Sequence, residues 1–324
     1  MADYKETIVV YGLLDPNEAV HYIKINKAFL GPGNALTMAQ NYDSVNFKNK
    51  LTVQLQAFDN NGYLVSTIPL KADSSVPKSP GLFSYPKQIL YSTKAKLDTT
   101  LVYNLTVTEA GNPLPVTGST GLIGGIQNVM QPSGSFLALS KPDSLPFTVS
   151  WQSVNNAKVY GVTLRFYYVE QDKVSGHSVN KQLDWVLPTQ VATYTQAGNT
   201  MQISVPGKSF YQFLATQLSP DPTKRRFIRQ KVNNRNFDLI FTTGSQDLYT
   251  YIQISQPSTA ITQNPPQFSD LKNGIGLFTA RNMQIYSPSF GYYMAGATVD
   301  SLYAGQFTRS LFCDSIPTSP YYCN

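Results

Sequence analysis

The sequence predicts an all-β protein of two sandwich-like modules, with one short helix in the second. Alternation, composition and chain punctuation carry that reading. Phe147, Val149 and Trp151 alternate with Thr148 and Ser150. Tyr160, Val162, Leu164, Phe166 and Tyr168 then alternate with Gly161, Thr163, Arg165 and Tyr167. Period two places each apolar set on one face of a pleated strand. Hydrophobic residues make up 42% of the 324, enough for a sizeable core, while only 14% are charged, against about 25% in an average soluble domain. Glu is confined to Glu6, Glu18, Glu109 and Glu170, whereas Tyr occurs 21 times. That is a strand-and-turn composition. A surface made polar by Asn, Gln, Ser and Thr fits an exported protein.

Taken in order, residues 7–14 and 20–29 read as strands, parted by the Asp15-Pro16-Asn17 turn. A polar loop follows to about residue 49. Leu51, Val53, Leu55 and Ala57 alternate in a half-buried strand, and Asp59-Asn60-Asn61-Gly62 turns it into a hairpin with residues 63–70. Leu101, Tyr103, Leu105 and Val107 form another alternating strand. The Gly-rich stretch 118–125 reads as a linker. The expected organisation is therefore an N-terminal module over 1–120, a second module over 121–288 and a C-terminal tail over 289–324. In the second module one segment has helical spacing: Phe210, Phe213, Leu214 and Gln217 within 209–218, with Ser209 as a cap and Ser219-Pro220 as a stop. Residues 236–242 and 248–255 read as strands.

The net charge of +6 is local. Lys224, Arg225, Arg226, Arg229, Lys231 and Arg235 fall within twelve residues that hold no acid. Without that run the chain is neutral, which is unlike a uniformly basic nucleic-acid binder. The run is either a solvated loop and strand start or an electropositive patch for an acidic partner, such as lipid headgroups or a receptor's acidic loop. The two cysteines, Cys313 and Cys323, either close a small loop or stand as unpaired thiols in a frayed end. The export-like composition favours the bridge, which would add about 3 kcal/mol if unstrained. No apolar run is long enough for a membrane helix. The polar start, entering a strand at Thr7, reads as one set after a removed leader.

Reactive constellations do not assemble from the sequence. His21 and His177 are the only histidines and have no ligand at metal spacing; His21 reads as a surface or rim residue. The Asp59 turn departs from a calcium loop, because Tyr63 takes a ligand position. Pro206-Gly207-Lys208-Ser209 resembles the end of a phosphate loop, but Gln202 occupies the place of its first Gly. No Gly-x-Ser-x-Gly elbow occurs. Asp172, Asp184, Asp238 and Asp247 could be gathered by a fold into an acid–base pair, which the sequence does not show. Asp184 beside Trp185 is the pairing that draws notice: Trp185 is either a core side chain or a platform for stacking a sugar. The reading is of a non-enzyme without cofactor or metal.

Two resemblances extend it. The pair Phe147-Thr148-Val149-Ser150-Trp151 and Ala157-Lys158-Val159-Tyr160-Gly161-Val162 resembles strands B and C of fibronectin type III domains, where a core Trp ends one strand and a core Tyr starts the next. This implies immunoglobulin- or fibronectin-like sandwiches, although the expected helix departs from that pattern. Over most of its length the chain also resembles an uncharacterised family of Bacteroidetes outer-membrane lipoproteins. The residues concerned are Val9-Val10-Tyr11-Gly12-Leu13-Leu14, Trp151 with Tyr160, Phe237-Asp238, Leu248-Tyr249-Thr250-Tyr251 and Asn273-Gly274-Ile275-Gly276-Leu277-Phe278. The family's lipobox Cys is missing here. The resemblance implies an exported surface lipoprotein held to the outer membrane by a lipid anchor. It also implies an accessory or binding role beside a TonB-dependent outer-membrane receptor. A carbohydrate-binding module using exposed aromatics is the alternative, and no nucleic acid is expected.

Overall fold

The computed structural model describes residues 7–28, 34–47, 51–140, 145–228, 235–256, 268–286, 288 and 291–323. The protein is mostly β. The first elements are β1 (Thr7–Leu14), β2 (His21–Ala28), α1 (Ala35–Gln40), α2 (Tyr42–Val45), β3 (Thr52–Phe58), β4 (Leu64–Asp73), β5 (Leu90–Thr93), β6 (Val102–Thr108) and β7 (Val116–Gly121). There follow β8 (Val129–Gln131), β9 (Phe136–Leu137), β10 (Phe147–Gln152), β11 (Val159–Asp172), β12 (Ser178–Val186), β13 (Gln190–Val191) and β14 (Thr200–Val205). The last are α3 (Lys208–Gln217), β15 (Lys224–Ile228), β16 (Phe237–Gly244), α4 (Gln246–Ser255), β17 (Ile275–Tyr286), β18 (Tyr293–Met294) and α5 (Gly296–Ala304).

The chain forms two compact units that interleave in sequence. One comprises Met1–Gly124, Asn155–Val159 and Thr243–Asn282; the other comprises Gly125–Val154, Tyr160–Thr242 and Met283–Asn324. Residues 243–282, placed in the second module by the sequence reading, thus belong with the first. In that unit the strand order is β17-β1-β2-β5-β4-β3-β6-β7. β1 runs parallel to β17, and the other neighbours are antiparallel. Alternation explains the buried face: Ile8, Val10 and Leu14 on β1, Ile23 and Ile25 on β2, Val53, Leu55 and Ala57 on β3, and Tyr103, Leu105 and Val107 on β6. Each such side chain contributes about 1.5–3 kcal/mol when fully withdrawn from water. The β3–β4 turn is held by Asp59, whose Oδ1 accepts the Asn61 and Tyr63 amides at 2.9 and 2.8 Å.

The second unit contains the sheet β12-β11-β16, with β13 and β15 also paired to β11, the sheet β14-β10-β8, and the parallel pair β9–β18. Its core is aromatic. Trp151 meets Phe241 edge-on at 5.3 Å and Tyr160 at 5.8 Å. Phe166 contacts Phe210 at 5.5 Å and Phe237 at 5.4 Å. The Tyr160 hydroxyl accepts the Val154 amide at 3.0 Å, which closes the loop between β10 and β11.

Several expectations are corrected. The polar loop before β3 holds α1 and α2, because the Asn34 and Asn41 side chains accept the Leu36 and Asp43 amides and start helical turns. The first half of the supposed linker belongs to β7, where Gly118 permits close packing: a Cβ there would lie 2.7 Å from Leu271. Residues 248–255 are helical, in α4. Ser245 caps that helix through the Leu248 amide at 3.1 Å, and Asp247 lies in its first turn. Capping and position override the strand propensity of its Tyr, Thr and Ile residues. α3 begins at Lys208, with Gly207 rather than Ser209 at the cap position and no side-chain cap; a Cβ on Gly207 would lie 2.0 Å from the Leu139 carbonyl oxygen. The supposed tail is folded, with α5 and buried Leu302, Tyr303, Leu311 and Phe312. His21 is buried on β2 rather than at a rim, and its burial pulls the imidazole pKa down.

Candidate functional site

β15 brings the basic run against β11 in antiparallel register, with Arg226 opposite Glu170 and Arg225 opposite Gln171. Glu170 is the counter-ion for one face of the strand. Its carboxylate lies 2.8 Å from Arg226 Nε and 3.1 Å from Lys224 Nζ. Arg226 also donates to the Ser219 carbonyl at 2.9 Å, so this buried guanidinium is well satisfied. Burial pushes the Glu170 carboxyl up, but the hydrogen bonds from Arg226 and Lys224 outweigh it and the pKa is depressed.

The folded C-terminal segment adds the opposite wall. The Cys313 amide donates to the Arg226 carbonyl at 2.9 Å. Cys313 and Cys323 are bonded to each other, and the Asp314 and Cys323 amides close the loop through Tyr321 and Asp314. Phe312 anchors it against Phe166 and Tyr168, with ring centroids 5.9 and 5.7 Å apart. Between loop and strand is a cleft of about 350 Å³. Lys173, Lys224, Arg225, Arg226 and Arg309 line it, with Asp221 as the carboxylate among its described lining residues. Asp221 is already engaged: the Thr223 hydroxyl and amide donate to it at 2.6 and 2.9 Å. Those hydrogen bonds, with the Lys224 and Arg226 charges behind them, hold its pKa low. Arg225 differs from Arg226, because its Nε is buried and has no hydrogen-bond acceptor. A buried unpaired donor on a cation is costly, and an incoming oxyanion would satisfy it.

The other predicted residues are not gathered here. Arg235 pairs with fully buried Asp238, which also accepts the Tyr167 hydroxyl at 2.8 Å. Arg229 and Lys231 lie outside the described residues. Trp185 is 8% exposed, stacked on Phe147 at 6.4 Å and packed against Phe210 at 5.7 Å. It is a core side chain and offers no sugar platform. Asp184 is held by Arg165 through two hydrogen bonds of 2.7 and 2.8 Å, and the Arg165 bond lowers its pKa. Asp172 caps the Val174 and Ser175 amides. In the first unit, burial raises Asp247 and pushes Asp270 up to about 6, with the Asp247 charge adding to the latter. Among the described residues no group of three or more His, Cys, Asp or Glu could hold a metal ion. Arg309, which sequence reasoning missed, carried no local signal; only the loop's packing brings it to the cleft.

The Glu170 cluster predicts acid lability. Its folded pKa is depressed, so its stabilisation is present above the unfolded value of about 4.3 and is lost as pH falls through the lower folded value. Glu170→Gln is expected to cost about 1–3 kcal/mol at pH 7. Urea unfolding of both proteins should show this difference shrinking below about pH 4.

No family profile matches the chain. No curated protein matches it. Among solved structures, it is similar to the C-terminal globular domain of an oligosaccharyltransferase from Pyrococcus abyssi. The identity is 11% over 66% of this chain, with a TM-score of 0.23. The matched region spans 40% of that structure's length. Nothing about this chain's activity follows from a likeness of that size.

Proposed function

We propose that this chain is a non-catalytic, exported binding module whose basic cleft receives an acidic group of a protein partner. The observation that carries the proposal is Arg225, whose buried Nε lacks an acceptor in a cleft lined by four further cations. The reading extends the expected accessory role at the cell surface. The partner is an outer-membrane receptor presenting a carboxylate-rich loop, and a lipid anchor supplies the membrane attachment. The tilted contact of Trp151 with Tyr160 between the β10 and β11 strands supports a fibronectin-like sandwich for the second unit, within an arrangement of two immunoglobulin-like modules.

An immobilised oligo-glutamate peptide tests the cleft. Binding is expected to weaken steeply with salt and to fall at least tenfold, about 1.4 kcal/mol, in the double variant Arg225→Glu, Arg309→Glu. Both side chains lie outside the Glu170 pair, so the fold should survive, which circular dichroism would verify. Absence of peptide binding, or binding indifferent to charge reversal, would refute the assignment.

A further inference from the structure

The second unit carries two further concavities of about 390 and 400 Å³ that meet at one residue, Gln202 on β14. Gln131, Phe136, Thr148 and Gln202 line the first, and Tyr194, Asn199 and Gln202 the second. Their chemistry is unlike that of the basic cleft. No charged residue occurs among the described residues lining either one.

β14 explains the arrangement. Met201, Ile203 and Val205 face the core, so Thr200, Gln202 and Ser204 are turned to solvent. The β10 pairing sets Thr148 opposite Ser204, with their hydroxyls 3.0 Å apart. Gln202 Nε2 donates to Ser204 Oγ at 2.9 Å. This orients the amide and leaves Gln202 Oε1 without a protein donor among the described residues. Apolar rings stand at both concavities: Phe136 is 67% exposed and Tyr194 65%. Phe136 is held in place, since β9 pairs with β18 in register with Tyr293 and the two rings lie 5.9 Å apart, tilted by 39°. That pairing fixes where the exposed ring stands at the concavity.

We infer that the surface joined at Gln202 is a binding site for a neutral oligosaccharide. A sugar ring offers an apolar C–H face to Phe136 or Tyr194 and hydroxyls that both donate and accept. Amides and hydroxyls are the side chains that match such mixed demand, and aromatic faces supply the stacking surface. An acidic ligand would find no cation there among the described residues. This site therefore stands independently of the basic cleft, and either assignment can fail without the other.

Affinity electrophoresis of the full chain through gels containing soluble mannan, xylan, β-glucan or galactan tests it, with heparin as a sulfated comparison. At least one neutral polysaccharide should retard the protein, and 0.5 M NaCl should leave that retardation unchanged, about five times the ionic strength at which surface charges are already largely screened. Phe136→Ala and Gln202→Ala should each weaken it about tenfold, the loss of one stacking or amide contact. Tyr194→Ala should weaken it too, while Arg225→Glu should leave it intact. The three substituted side chains are exposed, so unaltered melting temperatures are expected. No retardation in any neutral gel, retardation abolished by salt, or retardation that survives both Phe136→Ala and Gln202→Ala would each overturn the proposal.

Discussion

Trp151→Ala is expected to destabilise the second unit by about 3–5 kcal/mol, the range for deleting a large aromatic from a packed core. Trp151 is fully buried. Its ring joins the β10 sheet to the β11–β16 sheet through Tyr160 and Phe241. The surrounding rings are rigid and cannot collapse into the space left behind, so the cavity cost adds to the lost transfer energy. Trp151→Phe provides an instructive comparison. The indole Nε1 is buried without a hydrogen-bond partner, and Phe removes that orphan while keeping one ring. Its loss should be less than half that of Ala, because relief of an unsatisfied donor of about 1–3 kcal/mol offsets the smaller cavity. Urea denaturation followed by tryptophan-independent circular dichroism would measure both. Equal losses for Phe and Ala would count against the orphaned-donor argument.

Gly276→Ala is expected to be comparably damaging in the first unit. Gly276 sits in β17 opposite Val10 of β1, with φ at +121°. That backbone conformation strains any L side chain by about 1–3 kcal/mol. A Cβ would also lie 2.0 Å from the Val10 carbonyl oxygen, which is backbone and cannot swing aside. The strands must separate, adding about 1–3 kcal/mol of overpacking, for a total of about 2–6 kcal/mol. Thermal and urea melts of the variant would show it. A loss below about 1 kcal/mol, the level of an ordinary surface change, would mean that β1 and β17 do not pair in this register.

The strands were the legible part of this chain, wherever one face is dry and the other wet. β1, β3, β6, β10, β11 and β14 all show their alternation in the sequence, and apart from Ser150 on β10 the buried residues are the ones it points to. α3 was legible for the same reason at helical period: Phe210 and Leu214 are buried as their spacing implies. α4 was not, because none of its residues is buried and its Tyr, Thr and Ile content mimics a strand. Only Ser245, its cap, marked its start. Of the basic cleft, Lys224, Arg225 and Arg226 were visible as a charge run. Their division of labour was not, since Glu170 lies more than fifty positions away and takes Arg226 while leaving Arg225 unmatched. Trp185 was left open for a related reason: alternation made it a core candidate, but only packing on Phe147 and Phe210 decides against a surface role.

By itself the sequence determined the β class, the inward set of each amphipathic strand, the hairpin at Asp59 and the position of α3. These depend on periodicity and turn chemistry within a dozen neighbouring residues. The tertiary structure alone decided which distant strands became neighbours, β1 beside β17 above all, and which side chains met in the cleft and around Gln202. Such pairings are chosen by the burial and hydrogen bonding of segments far apart along the chain, and a local pattern fits many of them equally well.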